Sequence, residues 1–185
     1  TIDGNTGELT FNSSPDFEAP ADTDTNNEYL VTVEASDGLN TDAQNLTITI
    51  TNLNDNPPTI TSDGGDVTAS LTYDENDTAV LTTVTATDAD GDTPVYTISG
   101  GDDAALFTID GNTGELTFNS SPDFETPTDT DVNNEYLVTV EASDGTNLDS
   151  QSLTITIINL NDNPPTITSD GGDVTAALTY DENDT

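Results

Sequence analysis

The stretch Asn52-Leu53-Asn54-Asp55-Asn56-Pro57-Pro58 returns letter for letter at Asn159–Pro165. Two adjacent prolines end a strand that runs into them, because neither can donate to a ladder and each pushes the preceding residue toward extended geometry. The segment is therefore a boundary between folded units. Just ahead of the prolines an Asp stands between two Asn, so side-chain oxygens and backbone carbonyls alternate, the donors a hard cation prefers. The same boundary is a candidate metal site.

The charge balance points the same way. The chain has 185 residues, 37 of them Asp or Glu, with no Lys, Arg or His, and a formal net charge of -37. A chain of average composition is about 25% charged, so roughly 20 basic residues would be expected. Two carboxylates about 5 Å apart repel by roughly 3 kcal/mol at an effective dielectric of about 20. Where several converge they need bound cations, strong hydrogen-bond donors or protonation, and at neutral pH the cation is the ready remedy. Elsewhere the acids form a solvated, self-repelling surface. The charge opposes nucleic acid and anionic membrane as partners. No cysteine is present, so disulfides are excluded as staples. No signal peptide or transmembrane stretch is visible, and no membrane insertion is expected in this segment.

An internal repeat organises the chain. Thr1–Thr78 recurs as Thr108–Thr185, each residue meeting its counterpart 107 positions on, with nine differences. One period is an ordinary domain length. Cut at the prolines, the chain divides into the later half of one unit (1–58), one whole unit (59–165) and the start of a third (166–185). Within the whole unit, Ala79–Thr87, Pro94–Ser99, Leu106–Ile109, Gly114–Phe118, Glu135–Ala142 and Ser152–Ile158 are rich in β-branched residues and mostly alternate, with turn signals between them. The inward set reads Val84, Ala86, Tyr96, Phe107, Ile109, Leu116, Phe118, Tyr136, Val138, Val140, Leu153, Ile155 and Ile157. With a first strand in Val67–Tyr73, about seven strands make the all-β chain a sandwich. Asp110–Gly114, DGNTG, reads as a hairpin turn. The half unit 1–58 holds only later strands and cannot bury its inner face alone.

Four more acidic groups stand at strand ends or in the loop before a strand, and three of them recur 107 residues on. Asp74-Glu75-Asn76 follows the opening strand, with Glu182 in the next copy; alone it reads as a polar turn. Asp88-Ala-Asp90-Gly-Asp92 ends a strand, but the EF-hand pattern wants Gly sixth and Glu twelfth, where Thr93 and Ser99 stand, so that reading fails. Asp16 with Glu18, and Asp123 with Glu125, sit in the loop before the long strand, each by itself a solvated pair. Asp37 and Asp144 end that strand.

In this order, Glu-Asn, Asp-Ala-Asp, Asp-Phe-Glu, Ala-x-Asp-Gly and Asn-Asp-Asn-Pro-Pro, the groups resemble the cadherin repeat, specifically the cadherin-like repeats found in tandem in large bacterial and archaeal surface proteins. The resemblance covers the whole unit and, by repetition, nearly all the chain. It implies tandem Greek-key, immunoglobulin-like sandwiches with Ca2+ between successive domains. At the junction inside this chain the implied ligands are Asp16, Glu18, Asn54, Asp55, Asn56, Asp88, Asp90 and Asp144. At the following junction they are Glu75, Asp123, Glu125, Asn161, Asp162 and Asn163. Two departures stand out: Asn52 and Asn159 replace the family's linker Asp, and the Gly-x-Asn-Ala segment after Asp-x-Asp is replaced by Gly91-Asp92-Thr93-Pro94, where Asp92 or a nearby carbonyl would substitute. Two or three ions per junction are expected, with calcium favoured over magnesium because it tolerates irregular shells of about 6 to 8 oxygens.

The expected function is a calcium-rigidified stalk or filament segment of an extracellular, cell-surface adhesin, its partners calcium ions and adjacent repeats of the same polypeptide, or neighbouring copies in a homopolymeric filament. The alternative is a homophilic or glycan-binding adhesion module, although few aromatic side chains are available as a sugar platform. Paired carboxylates can hydrolyse glycosides, but both copies carry the same pairs on a loop with no evident pocket, so no enzyme is expected.

Overall fold

The computed structural model describes residues 1–172 together with 174, 175, 177, 179 and 182. In the first copy, β1 (Glu28–Ser36) and β2 (Thr41–Thr49) form an antiparallel hairpin, preceded by a bridge between Ile2 and Leu9. The whole repeat contains β3 (Thr59–Ile60), β4 (Thr68–Asp74), β5 (Thr82–Thr83), β6 (Ala86–Thr87), β7 (Val95–Gly100), β8 (Phe107–Ile109), β9 (Glu115–Phe118), β10 (Glu135–Ser143) and β11 (Leu148–Ile158). One sheet has the order β4-β11-β10-β7; facing it are β5-β9-β8 and the short pair β3-β6. All pairings are antiparallel except β4 on β11, which is parallel over Thr68–Asp74. The fold is an all-β sandwich.

The opening strand is shared between the sheets. β3 pairs with β6, the chain then turns through Ser62–Gly65, and β4 adds to β11. The expected single strand over Ala79–Thr87 is likewise two pieces, β5 pairing with β9 and β6 with β3. Val84 still follows β9, its N–H donating to the Gly114 carbonyl at 2.9 Å, and the strand changes partner at Thr85, whose carbonyl accepts the Thr61 N–H at 2.8 Å. Gly114 has φ 74°, and a Cβ there would lie 2.1 Å from the Val84 carbonyl oxygen, so only glycine permits the approach. The hairpin itself is closed by Asp110, whose Oδ1 accepts the N–H groups of Asn112 and Thr113 at 2.8 and 2.9 Å. Both N–H groups hold the Asp110 carboxyl below its usual range.

The expected inward residues form the core. Val84, Tyr96, Phe107, Leu116, Tyr136, Val138, Val140, Leu153, Ile155 and Ile157 are buried, with Ala86, Ile109 and Phe118 packed against them. Phe118 sits 4.4 Å from Phe107, 5.4 Å from Tyr73 and, edge-on, 5.2 Å from Tyr136. The first copy has the same residues with less cover: Val31, Val33, Leu46 and Ile48 are half-buried where Val138, Val140, Leu153 and Ile155 are buried. Alternation sets which side chains share a face, and burial then depends on an opposing sheet.

Candidate metal centres at the two ends of the whole repeat

The sandwich brings its acids together at both ends. At the end facing the first copy, Glu18 from the loop before β1, Asp55 from the linker and Asp90 from the turn after β6 each offer a carboxylate oxygen within 4.8 Å of the others. Asp90 holds the linker: its Oδ2 accepts the N–H groups of Asp55 and Asn56 at 3.1 and 2.8 Å, and its Oδ1 the Asn56 amide at 3.1 Å. Asn52, at the opening of the linker, donates its amide to the Asp90 carbonyl at 2.7 Å. Asp88 Oδ1 accepts the N–H groups of Asp90 and Asp92 at 2.8 and 3.3 Å, which curls the Asp-Ala-Asp turn.

Two oxygens at this end are orphaned. Glu18 Oε1 and Asp88 Oδ2 are buried with no hydrogen-bond partner, and the chain has no basic side chain to offer. Burial, then the carboxylates of Asp90 and Asp55, push the Glu18 carboxyl above its ordinary value. Asp90 moves the opposite way: burial, the largest single influence, pulls it up, but the donors from Asn56, Glu18 and Asp55 together bring it below. Inward-turned carboxylate lone pairs beside other acids are donors that could hold a cation.

Asp16 lies outside this group, its Oδ1 accepting the N–H groups of Glu18 and Ala19 at 3.1 Å each, so it shapes the loop that carries Glu18. Asp144 Oδ1 accepts the N–H groups of Thr146 and Asn147 at 2.6 Å each. Asn147 in turn donates its amide to Asn54 Oδ1 at 3.2 Å, which connects the β10–β11 turn to the linker. Burial acts upward on Asp144, but those N–H groups and the amides of Asn147 and Asn54 outweigh it and lower the carboxyl. Asn147 was not singled out by sequence, since an Asn in a turn carries no signal of the partner it meets 93 residues away.

At the other end Glu75, Asp123 and Glu125 form the equivalent group. Glu75 is 1% exposed. Its Oε1 accepts the Leu160 N–H at 2.6 Å and its Oε2 the Phe124 N–H at 2.9 Å, so one carboxylate ties the end of β4 to the linker and to the acidic loop. Asp123 Oδ1 accepts the N–H groups of Glu125 and Thr126 at 3.0 and 3.1 Å, repeating the role of Asp16. Asn159 donates to Glu125 Oε1 at 3.0 Å, and Asn76, in the turn after β4, donates to Asp162 Oδ2 at 2.7 Å. Asn163 donates to Asp162 Oδ1 at 3.0 Å, and Asn161 stands exposed in the linker. Of the next copy's Asp-Glu-Asn turn only Glu182 is among the described residues.

The sandwich, the parallel β4–β11 pair and oxygen-lined ends joined by a Pro-Pro linker are what a comparison with known families can decide. A cadherin-domain family model matches residues 68–160, half of the chain. The chain belongs to the cadherin family. Among solved structures this cadherin chain is similar to human protocadherin-24 EC1-2 (TM-score 0.65, 21% identity, covering 86% of this chain and 76% of that one). It is similar also to mouse protocadherin-24 EC1-3 (TM-score 0.64, 22% identity, 85% and 51%) and to the protocadherin gammaB4 extracellular domain (TM-score 0.60, 24% identity, 78% and 23%). At these identities the likeness is one of fold, and the chain spans about a quarter of the gammaB4 chain and half of the mouse one. A comparison with curated proteins gives no match. Domains of the cadherin family belong to a non-enzymatic adhesion class and typically bind calcium. No helix among the described residues is long and apolar enough to cross a membrane.

Proposed function

We propose that this cadherin chain is a calcium-rigidified segment of an extracellular adhesin stalk or surface filament. The units are the later half of one repeat (1–58), a complete repeat (59–165) and the start of a third (166–185). The single observation that carries the reading is the meeting of Glu18, Asp55 and Asp90, one acid from each side of a boundary and one from the boundary itself, within 4.8 Å in a chain without basic residues.

Glu18, Asp55, Asp88 and Asp90 would hold calcium there, with Asp16, Asn54, Asn56 and Asp144 completing or orienting the shell. Glu75, Asp123 and Glu125, with Asn161, Asp162 and Asn163, would do so at the next junction. Bound calcium supplies positive charge that cancels the repulsion and a shell that takes oxygens from both repeats. The protein's own part is preorganisation. Asp90 keeps the linker against the whole repeat, Asn147 fastens Asn54, and Glu75 positions the acidic loop. Binding to the folded junction alone stabilises it by mass action, which suits millimolar extracellular calcium.

The test is small-angle scattering and proteolysis with and without chelator. Removal of calcium is expected to free the interdomain angle, changing the scattering profile, and to open Asn52–Pro58 to acid-cleaving proteases; trypsin has no site in a chain without Lys or Arg. Superimposable scattering profiles in calcium and in EDTA would overturn the proposal.

A further inference from the structure

A second acidic constellation lies beside each junction loop, with Asn134 donating its amide to the Phe124 carbonyl at 3.0 Å and Asn27 to that of Phe17 at 2.9 Å. Asp129-Thr130-Asp131-Val132-Asn133-Asn134 leads into β10, and Asp22-Thr23-Asp24-Thr25-Asn26-Asn27 leads in the same way into β1. Asp129 is 5% exposed. Its Oδ2 accepts the Asn133 N–H at 2.7 Å, and its Oδ1 is buried with no hydrogen-bond partner. The first copy repeats the arrangement: Asp22 Oδ2 accepts the Asn26 N–H at 2.8 Å, and Asp22 Oδ1 is buried and unpartnered.

Two further acids belong to the same region. Asp131 shares the loop and accepts the Asn133 amide, and Asp103, 4% exposed, is tied to the loop through Thr130. Asp103 is fully occupied, since it accepts the Thr130 N–H and hydroxyl at 2.7 and 2.9 Å and the Leu137 N–H at 2.8 Å. Asp129 is not. A buried, unpaired carboxylate oxygen is costly unless a charge of opposite sign meets it, and the chain contains no basic side chain.

The backbone supplies the remaining argument. Val132 and Asn134 have φ 60° and 66°, and their counterparts Thr25 and Asn27 have φ 54° and 64°. A β-branched residue in the left-handed region is a strained conformation, and here it occurs in both copies. The calcium loop of the helix-loop-helix type draws ligands from positions one, three and five and from the carbonyl at seven, with a left-handed residue at six. Asp129, Asp131, Asn133, Glu135 and left-handed Asn134 occupy those places. Position twelve is the core residue Val140, so the bidentate Glu has no counterpart.

We propose that Asp129–Glu135 and its copy Asp22–Glu28 form a calcium site internal to each repeat, distinct from the junctions, with Asp129, Asp131 and Asn133 (Asp22, Asp24 and Asn26) as side-chain ligands. Asn133 now donates its amide to Asp131 Oδ2 at 2.8 Å, and calcium between the two side chains takes the place of that bond. Without the bidentate Glu the affinity belongs to the weak extracellular class, a dissociation constant of about 10⁻⁴ to 10⁻³ M. The site fixes the loop that connects the junction acids Asp123 and Glu125 to β10.

The experiment uses the full chain with both junctions neutralised by E18Q, D55N, D90N, E75Q, D123N and E125Q, titrated with calcium chloride and followed by backbone amide NMR. Terbium luminescence sensitised by Tyr136, whose hydroxyl accepts the Thr128 N–H at 3.1 Å, gives a second readout. Saturable shifts are expected at residues 130–135 and 23–28, and adding D131N or D24N weakens binding at least tenfold in its own loop only. If the sixfold variant does not fold, the same titration on the unmodified chain, with and without D131N and D24N, decides the matter loop by loop. No saturable shift up to about 10 mM calcium, shifts indifferent to D131N and D24N, or equal shifts with magnesium alone would overturn the proposal. Junction rigidity is read separately at Asn52–Pro58, so failure there leaves this result standing.

Discussion

Replacing Glu75 by alanine tests whether one buried carboxylate fastens an end of the repeat. Its two oxygens accept the N–H groups of Leu160 at 2.6 Å and Phe124 at 2.9 Å. Alanine strands both donors in a place where the side chain is 1% exposed. Each unsatisfied buried donor costs about 1 to 3 kcal/mol, so the gross loss is about 2 to 6 kcal/mol. Relief from burying the charge itself returns part of it, which leaves about 2 to 4 kcal/mol net. Glu75→Gln keeps one acceptor oxygen and turns an NH2 toward the other donor, for a loss of about 1 to 2 kcal/mol. The assay is thermal unfolding in EDTA, followed by near-UV circular dichroism from the buried tyrosines Tyr73, Tyr96 and Tyr136. Each kcal/mol lowers the midpoint by about 4 to 8 °C for a domain of this size, so Ala falls well below Gln and Gln below the parent. A second scan in calcium separates the metal contribution, because stabilisation by ligand is about 2.7 kcal/mol at a hundredfold excess over the dissociation constant and is lost at that end in both variants. Equal midpoints for the parent and Glu75→Ala in EDTA would refute the reasoning.

The two copies permit an internally controlled core experiment. Leu153→Ala is expected to cost about 2 to 5 kcal/mol, whereas Leu46→Ala, the same residue on a half-covered face, costs less than about 1 kcal/mol; equal costs by denaturant unfolding would mean that the first copy is as well packed as the second. Gly114→Ala should disrupt the β8–β9 hairpin and the Val84 contact, lowering the midpoint while Gly7→Ala, with open space around it, has a smaller effect; the reverse order would contradict the close approach. Asp110 contributes to acid stability. Its folded value lies below the ordinary carboxylate value of 3.8, so its stabilisation is present above that pH and is lost as pH falls through the lower folded value. Asp110→Asn should therefore flatten the acid limb of a stability-against-pH curve below pH of about 4, and a parallel shift of the whole curve would argue against it.

Period-two alternation in Glu135–Ala142 and Ser152–Ile158 was enough to separate core from surface, because in a strand neighbouring side chains point to opposite faces whatever the partner. The order of the acidic groups along a repeat was also legible, and it carried the family resemblance and the choice of calcium. Pairing was not. Nothing local says that β3 and β4 belong to different sheets, or that Ala79–Thr87 changes partner after Val84, since both depend on which distant strand lies alongside. Nor does composition distinguish Asp16, which shapes its loop, from Glu18, which meets Asp55 and Asp90. Asp129 reads as one more surface acid until the sandwich closes around it. Sequence by itself determined the chain's periods, its faces and its surplus of oxygen donors, which are properties of neighbours along the backbone. Only the tertiary structure decided which carboxylates meet and which lose their water, because both depend on segments 34 to 85 residues apart being brought together at the two ends of the sandwich.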